Sequence, residues 1–309
     1  MLRLKPHKND VDPVSVGIDI HADGIALALR RKGKPSTIKC EFIPVRNQSE
    51  IPQALKAAVD KHRLKKQHAT VLMPSNLYNL LQTSSPALRP EELRAAARWK
   101  INELLPYPVE NAVVDVFEYP KAGQRGTERM LYVVAANRAD VQREVDWLQQ
   151  SDLTLKSIDI GEFALRNVVS LLPENESGTI VLSLTEHQGL LVFVKQDEVY
   201  LARRLEFGYN DLLLGEQNIR GDLVLELQRS MDFFESQFAQ PMPPRLLVYP
   251  PDKLTSELTQ HIYTELNIQV EPLILERLAG YKLDLDAESQ SRCLLAVGAA
   301  LREEEEAAV

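Results

Sequence analysis

The sequence predicts an α/β protein made of two similar halves. Each half opens with three short strands separated by turns, at 14–43 and at 179–206, and continues with alternating helices and strands. At 309 residues the chain is too long for one ordinary hydrophobic core. The polar segment 173–178 interrupts the pattern between the halves. Together these observations indicate duplication of one unit, with a boundary near residue 175.

In the first half, apolar runs bounded by turn residues predict strands, and a 3.6-residue period predicts helices. Ser49 is expected to cap the first helix and Pro90 to open the second. A polar loop at 121–128 is expected to join two strands. The expected strands are 14–20, 24–31, 37–43, 69–73, 112–119, 129–136 and 154–160, and the expected helices are 49–62, 91–105, 140–150 and 162–172.

The second half repeats this plan after the break. A run of glutamates at 303–306 is expected to form a solvated tail. The expected strands are 179–184, 189–195, 199–206, 245–249 and 268–271, and the expected helices are 210–214, 222–238, 254–266 and 289–302.

The segment 99–120 combines a helix end, a proline corner and a strand. Pro106 and Pro108 lack backbone donors and prevent the helix from continuing. An apolar stripe with a period of 3.6 residues is expected to face the sheet of this region. The stripe consists of Leu93, Ala97, Ile101, Leu104 and Leu105. Trp99 lies off the stripe, which leaves it either at a groove or packed under a loop.

Composition excludes several classes of protein. A net charge of −8 argues against a nucleic-acid-binding protein. No run approaches the ~18 apolar residues of a membrane-spanning helix, and the charged segment 1–10 predicts no signal peptide. Cys40 and Cys293 are far apart in apolar contexts, so we expect two reduced core thiols.

Motifs for metal binding and catalysis are missing from the sequence. The six histidines show no H-x-x-x-H spacing and no C-x-x-C pair occurs, so we expect no metal site. Neither a G-x-x-x-x-G-K-[ST] phosphate loop nor a G-x-S-x-G nucleophile turn is present. The sequence therefore predicts a protein that is not an enzyme.

Several segments carry a family resemblance, in a consistent order along the chain. They are VGIDIHADGIALAL, VLMPSNLYNLLQT, ELRAAARWKINELLPYPVENAVVDVFEYP, LYVVAANRADVQREVDWLQQSDLTLKSIDIGEFALRNVV and LLAVGAALR. With these segments the chain resembles the PilM family of type IV pilus assembly proteins. Within that family it is most similar to the MshI proteins of mannose-sensitive haemagglutinin (MSHA) pilus biogenesis.

The resemblance implies an actin-like fold, in which duplicated RNase H-like halves carry a small inserted α+β subdomain. It places the first actin-like subdomain at 11–75 and 131–174, and the inserted subdomain at 76–130. The second half then covers 175–309, with a smaller helical subdomain around 207–242.

The resemblance also locates the nucleotide loops of this fold. The first phosphate loop falls at 19–24, where Asp19 is retained as a metal anchor or, alternatively, as a plain turn cap. His21 replaces the glycine of the tight turn, and Asp23 follows in the same loop. His21 and His187 fall in two facing hairpins, where we expect exposed loop histidines rather than a shared role.

The other two nucleotide loops are also degraded. Ser183 and Thr185 stand where ATP-binding relatives carry aspartate and glycine, and Glu186 would repel phosphate oxygens. Tyr249 and Pro250 occupy the position of the adenosine glycines, and proline cannot donate a hydrogen bond. We therefore expect no cofactor, with ATP and Mg²⁺ as the disfavoured possibility.

The resemblance implies a non-enzymatic cytoplasmic scaffold of a type IV, MSHA-type pilus assembly platform, peripheral at the inner membrane. Its partner would be the cytoplasmic N-terminal peptide of a single-pass PilN-like protein. That peptide would lie in a groove between the first subdomain and the insert, with Trp99 and Tyr107 as candidate contacts. The alternatives are an actin-like ATPase closing on Mg-ATP around Asp19, a divergent sugar kinase, and the cytoplasmic domain of a type II secretion L-type protein.

Overall fold

The computed structural model describes residues 14–84, 89–120, 130–173, 175–214, 218–238 and 240–303. The strands are β1 Val14–His21, β2 Gly24–Arg31, β3 Ser36–Pro44, β4 His68–Leu72, β5 Tyr78–Ser84, β6 Ala112–Glu118, β7 Met130–Asn137, β8 Thr154–Asp159, β9 Thr179–Leu184, β10 Gly189–Lys195, β11 Glu198–Leu205, β12 Arg245–Tyr249, β13 Gln269–Pro272 and β14 Tyr281–Asp284. The helices are α1 Ile51–His62, α2 Pro90–Lys100, α3 Arg138–Gln150, α4 Gly161–Val169, α5 Tyr209–Leu214, α6 Ile219–Gln237, α7 Lys253–Leu266, α8 Ala287–Arg292 and α9 Leu294–Leu301. The segment 1–10, the loop 121–128 and tail residues 304–306 lie outside the described residues.

The first sheet has six strands in the order β14-β3-β2-β1-β4-β8. Strands β1, β2 and β3 form the expected antiparallel meander, and β4 and β8 follow in parallel. Side chains alternate between the faces of a strand, so Leu27 and Leu29 join the core cluster under α1 and α3. Ala26 and Ala28 face the opposite cluster, which includes α4 and α9.

The second sheet has five strands in the order β11-β10-β9-β12-β13. One face packs on α6 and α7, and the other shares a core cluster with α4, α9 and the first sheet. Gly298 on α9 permits a close contact between α9 and α4. A Cβ atom at Gly298 would lie 2.1 Å from the carbonyl oxygen of Ala164, a distance that no side chain tolerates.

The third sheet has three strands in the order β5-β7-β6. One face is covered by Ala97 and Ile101, from α2 and the residue after it. The other face carries Tyr119 and Tyr132, whose rings stack on each other and, through Tyr119, on Phe238 of the second half. The Tyr132 hydroxyl donates to the backbone carbonyl of Tyr200 at 2.9 Å, so aromatic packing and a buried hydrogen bond join this sheet to the second half.

Some elements differ from the sequence prediction. Strands β5 and β14 were not expected, and the helix expected at 289–302 is divided at Cys293, whose φ is −99° and ψ is 0°. Strand β14 pairs with β3 of the first sheet, although the sequence places it in the second half. Strand β7, which follows the expected insert, is the central strand of the third sheet.

Two local predictions about helix ends are wrong. Ser49 does not cap α1, because it lies in a 3-10 turn before the helix, and its own N–H donates to the side chain of Asn47. Helix α2 ends at Lys100 and is followed by a separate 3-10 turn, so the period of the stripe is lost there. Leu104 is consequently 58% exposed, whereas Leu93 is buried as expected.

The prediction of two reduced thiols is also wrong. Cys40 on β3 and Cys293 between α8 and α9 are joined by a disulfide bond, with Cα atoms 6.4 Å apart. Both cysteines are buried, as their apolar contexts indicate. Their pairing depends on the return of the C-terminal segment to β3, which local sequence patterns do not reveal.

Candidate functional site

The hairpin between β1 and β2 carries an acid–histidine pair. Asp19 is almost fully buried, and its Oδ2 lies 3.2 Å from Nε2 of His21. Burial alone would lower the pKa of His21, but the negative charge of Asp19 close by outweighs burial, and the pKa is raised. The imidazole also meets the ring of Phe42 edge-on, with centroids 5.7 Å apart. The carboxylate of Asp19 is therefore paired with the imidazole of His21.

A single arginine connects the hairpins of the two halves. Arg292, the last residue of α8, approaches Asp23 Oδ2 with Nη1 at 2.7 Å and Glu186 Oε1 with Nη2 at 3.2 Å. Asp23 lies in the turn between β1 and β2, and Glu186 in the turn between β9 and β10. The guanidinium also stacks over Phe42, 4.1 Å from the ring centroid. One cation thus neutralises two carboxylates from opposite halves.

The turn between β9 and β10 is held by hydrogen bonds among its own residues. The backbone N–H and the Oγ1 hydroxyl of Thr185 both donate to the carbonyl of Gln188, at 2.8 and 3.0 Å. The carbonyl of Thr185 in turn accepts from the N–H of Tyr209 at 2.7 Å. A hydrogen bond of 2.9 Å from Ser75 Oγ to the side-chain oxygen of Gln188 gives a second link between the halves. The N–H of Thr185 is therefore already bonded within the protein.

Tyr249, the last residue of β12, packs against the N-terminal end of α9. Its ring is buried, and backbone groups of Cys293 and Leu294 hydrogen-bond to its hydroxyl. Burial raises the pKa of Tyr249 far above its ordinary value, so the hydroxyl stays protonated. A helix N-terminus is a ready anion site when its N–H groups are free. Here those groups face a tyrosine of the same chain.

The charged side chains of the two hairpins are therefore paired with other side chains of the same protein. The structure brings Asp19, His21 and Asp23 together, and Arg292 links them to Glu186. His187 is exposed. Carboxylates in both turns would repel the oxygens of a phosphate group. Among the described residues no cluster of histidine, cysteine and acidic side chains is suited to hold a metal ion.

The two aromatic residues singled out in the insert differ in exposure. Trp99 is 77% exposed, consistent with its position off the apolar stripe. Tyr107 is half-buried, and its hydroxyl is buried without a hydrogen-bond partner among the described residues. Burial, and then the charge of Asp140 on α3, raise the pKa of Tyr107. The proline corner thus lies beside α3 of the first half.

A second polar cluster, which no local sequence pattern indicates, lies between α4, the second sheet and the third sheet. Glu162 on α4 is buried and accepts a hydrogen bond from the hydroxyl of Tyr78. Arg204 on β11 stacks 4.1 Å from the centre of the Tyr78 ring and lies 3.6 Å from Glu162. Burial raises the pKa of Glu162. Its partners are 84 and 42 positions away in the sequence.

Comparisons with solved structures confirm the expected actin-like fold. A chain of the PilM–PilN type IV pilus biogenesis complex is 21% identical, with a TM-score of 0.72 over 94% of this chain and 98% of that chain. An actin-like ATPase-fold protein of unknown function from Bacteroides thetaiotaomicron matches with a TM-score of 0.52 at 11% identity, covering 85% and 91% of the two chains. The cytoplasmic domain of EpsL from the Vibrio cholerae type II secretion system matches with a TM-score of 0.53 at 11% identity, covering 94% and 96%.

Sequence comparison adds the family. No curated protein sequence matches this chain significantly. None of the helices in the described ranges has the length and apolar character needed to cross a membrane. The model of the family described as type IV pilus assembly protein PilM matches residues 35–220. Because this match covers more than half of the sequence, the chain belongs to the PilM family of type IV pilus assembly proteins.

Proposed function

We propose that this protein is a non-enzymatic, cytoplasmic scaffold of a type IV pilus assembly platform. Its partner would be the cytoplasmic N-terminal peptide of a single-pass PilN-like protein, which would hold the scaffold at the inner membrane. The similarity to a chain of a PilM–PilN type IV pilus biogenesis complex over 94% of the sequence supports a partner of this kind. The motifs shared with MshI proteins favour a pilus of the MSHA type.

The observation that carries the non-enzymatic assignment is the bridge made by Arg292. In an actin-like nucleotide site, two facing turns offer backbone N–H groups to phosphate oxygens. In this protein the two turns present Asp23 and Glu186, and the positive charge between them belongs to the chain itself. A nucleotide would have to displace Arg292 from both carboxylates and then face them uncompensated. The rival proposal, an ATPase closing around Asp19, requires that displacement.

We propose Trp99 and Tyr107 as contacts for the partner peptide. Large exposed aromatic side chains often supply most of the energy of an interface. Trp99 offers such a side chain at the last turn of α2, and Leu104 adds a second exposed apolar group nearby in the sequence. Tyr107 is held between two prolines, so it loses little conformational entropy on binding.

The test has two stages. The tagged chain is first co-purified from its own cells, and a PilN-like single-pass protein is expected in the eluate. Its N-terminal peptide is then titrated against wild type, Trp99→Ala and Tyr107→Ala. Each variant should weaken binding by roughly 1–3 kcal/mol if the residue is an anchor. Unchanged affinity in both folded variants would move the site elsewhere, and failure of wild type to bind the peptide would refute the partner.

A matched control uses another exposed apolar residue away from the insert. Leu214 on α5 is 71% exposed, close to the exposure of Trp99. Leu214→Ala should leave peptide affinity unchanged. An equal loss in Leu214→Ala and Trp99→Ala would indicate a general loss of surface hydrophobicity rather than a specific site.

A further inference from the structure

One end of the first sheet carries two basic turns. Arg31, the last residue of β2, pairs with Val14, the first residue of β1. On the other side of β1, Ser15 pairs with His68, the first residue of β4. The turn after β2 and the turn before β4 therefore flank the start of β1, about 10 Å apart, since neighbouring strands lie about 4.8 Å from each other. Their exposed cations form a basic edge, which consists of Arg31, Lys32, Lys34, Arg63, Lys65 and Lys66.

Most charges of the basic edge are not neutralised by the chain itself. Four of its six cations form no ion pair with any described residue, namely Arg31, Lys34, Arg63 and Lys66. Of the other two, Lys65 Nζ lies 3.2 Å from Asp60 Oδ1, and Lys32 Nζ lies 3.7 Å from Glu303 Oε1. Both carboxylates are more than half exposed, so solvent screens these pairs. A protein with a net charge of −8 thus concentrates unpaired cations at one end of a sheet.

The turn before β4 holds its cations on a fixed and sterically unfavourable backbone. Arg63 has a φ of 57° and Lys66 a φ of 64°, in the left-handed region that glycine and asparagine adopt more readily. Leu64 between them is buried, and the N–H of Lys66 donates to the carbonyl of Asp152 at 2.8 Å. The dipole of α1 favours a cation at Arg63 but does not account for Lys66. Long basic side chains at positions that glycine would fill at lower cost indicate a use for their charge.

The layout of the basic edge favours an anionic surface as its partner. The cations lie on separate turns rather than around one pocket, so they suit many small anionic groups side by side. The anionic lipids of a cytoplasmic leaflet attract basic segments in this way. Because a membrane-bound partner would hold the protein beside the lipid, a few cations suffice at that high effective concentration. A nucleic acid would have to be recruited from solution against a net charge of −8.

We propose that the basic edge contacts the anionic lipid headgroups of the cytoplasmic leaflet of the inner membrane. This inference rests on the proposed function for the membrane, and it adds a direct lipid contact and the face that makes it. The insert leaves the first sheet after Leu72, at the opposite end of β4. The basic edge is therefore separate from the proposed peptide contacts Trp99 and Tyr107, and lipid and peptide binding can be measured one at a time.

Flotation of the purified protein with lipid vesicles tests the contact without the partner. The probe is vesicles of phosphatidylcholine containing about one third phosphatidylglycerol, an anionic lipid, at about 0.05 M salt, where charges are weakly screened. Wild type should float with these vesicles and not with phosphatidylcholine alone, and raising the salt to about 0.5 M should release it. No flotation of wild type with the anionic vesicles would overturn the inference.

A double variant with a matched control tests the turn before β4. Arg63→Asn with Lys66→Asn removes two charges and keeps residues that tolerate the left-handed conformation, so the turn should still fold. It should weaken vesicle binding about tenfold, because each basic group near an anionic surface contributes a few-fold. The control is Arg229→Gln with Lys253→Gln, which removes two exposed charges from α6 and α7 and should leave binding unchanged. Equal losses in the two double variants would indicate a general effect of net charge and overturn the inference.

The other turn and its carboxylate give predictions of opposite sign. Arg31→Gln with Lys34→Gln should also weaken vesicle binding about tenfold. Glu303→Gln should strengthen it, because Glu303 lies beside Lys32 and competes with the headgroups for the same cation. Unchanged or weaker binding of Glu303→Gln would contradict a headgroup contact at this turn.

The outcomes separate this inference from the proposed function. A protein that co-purifies with a PilN-like partner but does not bind anionic vesicles keeps the proposed function and loses the lipid contact. Vesicle binding without a PilN-like protein in the eluate would support the lipid contact and refute the partner. Tighter binding to a short double-stranded DNA than to the vesicles would assign the basic edge to nucleic acid and overturn the inference. If one double variant does not fold, the other double variant and the salt dependence of wild type decide.

Discussion

Replacing Arg292 should weaken the contact between the two halves and lower the free energy of unfolding. Arg292→Ala removes ion pairs of 2.7 and 3.2 Å and the stacking contact with Phe42. The side chain of Arg292 is 21% exposed, but those of Asp23 and Glu186 are 55% and 61% exposed, so solvent screens both pairs. Exposed pairs contribute about 0.2–1 kcal/mol each, and the stacked guanidinium about 0.5–1 kcal/mol. We expect the free energy of unfolding to fall by about 1–3 kcal/mol.

The assay is equilibrium denaturation of Arg292→Ala beside a matched control. Arg220 forms one exposed ion pair with Glu257 at 3.3 Å between α6 and α7. Arg220→Ala should therefore cost less than about 1 kcal/mol. Adding Glu186→Gln to Arg292→Ala should cost less than Glu186→Gln does in wild type, because the partner is already gone. Salt at about 1 M should reduce the effect of Arg292→Ala. An equal effect of both arginine variants, with no coupling to Glu186, would refute the bridge.

Three further predictions concern other parts of the fold. Deleting 106–108 should unfold the third sheet and lower the melting temperature, whereas Pro106→Ala should cost less than about 1 kcal/mol, since other residues still define the turn; a deletion variant with wild-type melting would contradict the role of the corner. Reducing the Cys40–Cys293 bond, which closes a loop with a sequence separation of 253, should lower stability by about 2–5 kcal/mol, with Cys293→Ser unaffected by reductant as the control. Glu144 is buried without hydrogen-bond partners for its carboxyl oxygens among the described residues, and burial raises its pKa to about 7. The free energy of unfolding should therefore fall as pH rises from about 4.5 to 7, by on the order of 3 kcal/mol in total. Glu144→Gln should remove this loss above pH 7 and should have no such effect near pH 4. A pH profile that the variant leaves unchanged would exclude Glu144 as the source of the loss.

Elements with local signals were predictable from the sequence. Strand β2 was predicted residue for residue, because its apolar run is bounded by turn residues on both sides. The meanders that open both halves were predicted for the same reason. The four-residue strand β14 has no such signal, and it forms through pairing with β3, more than 200 positions earlier. Strand β5 follows a 3-10 turn directly, so no loop marks its start.

The candidate site was only partly predictable. Family resemblance located Asp19, His21, Ser183, Thr185 and Tyr249 in the degraded loops. The residue that joins the loops, Arg292, lies 269 and 106 positions from its two partners. Its sequence context is an ordinary polar helix end. The disulfide next to it was missed for the same reason, because only the packed C-terminal segment brings Cys293 to Cys40.

The central claim is that the two facing hairpins hold the halves of a scaffold together and do not bind a nucleotide. Calorimetric titration of the purified protein with Mg-ATP tests it most directly. We predict no binding into the high micromolar range, because the turns present carboxylates and their neutralising cation is Arg292. A clear low-micromolar isotherm that Asp19→Ala abolished would contradict the claim and support an actin-like ATPase instead.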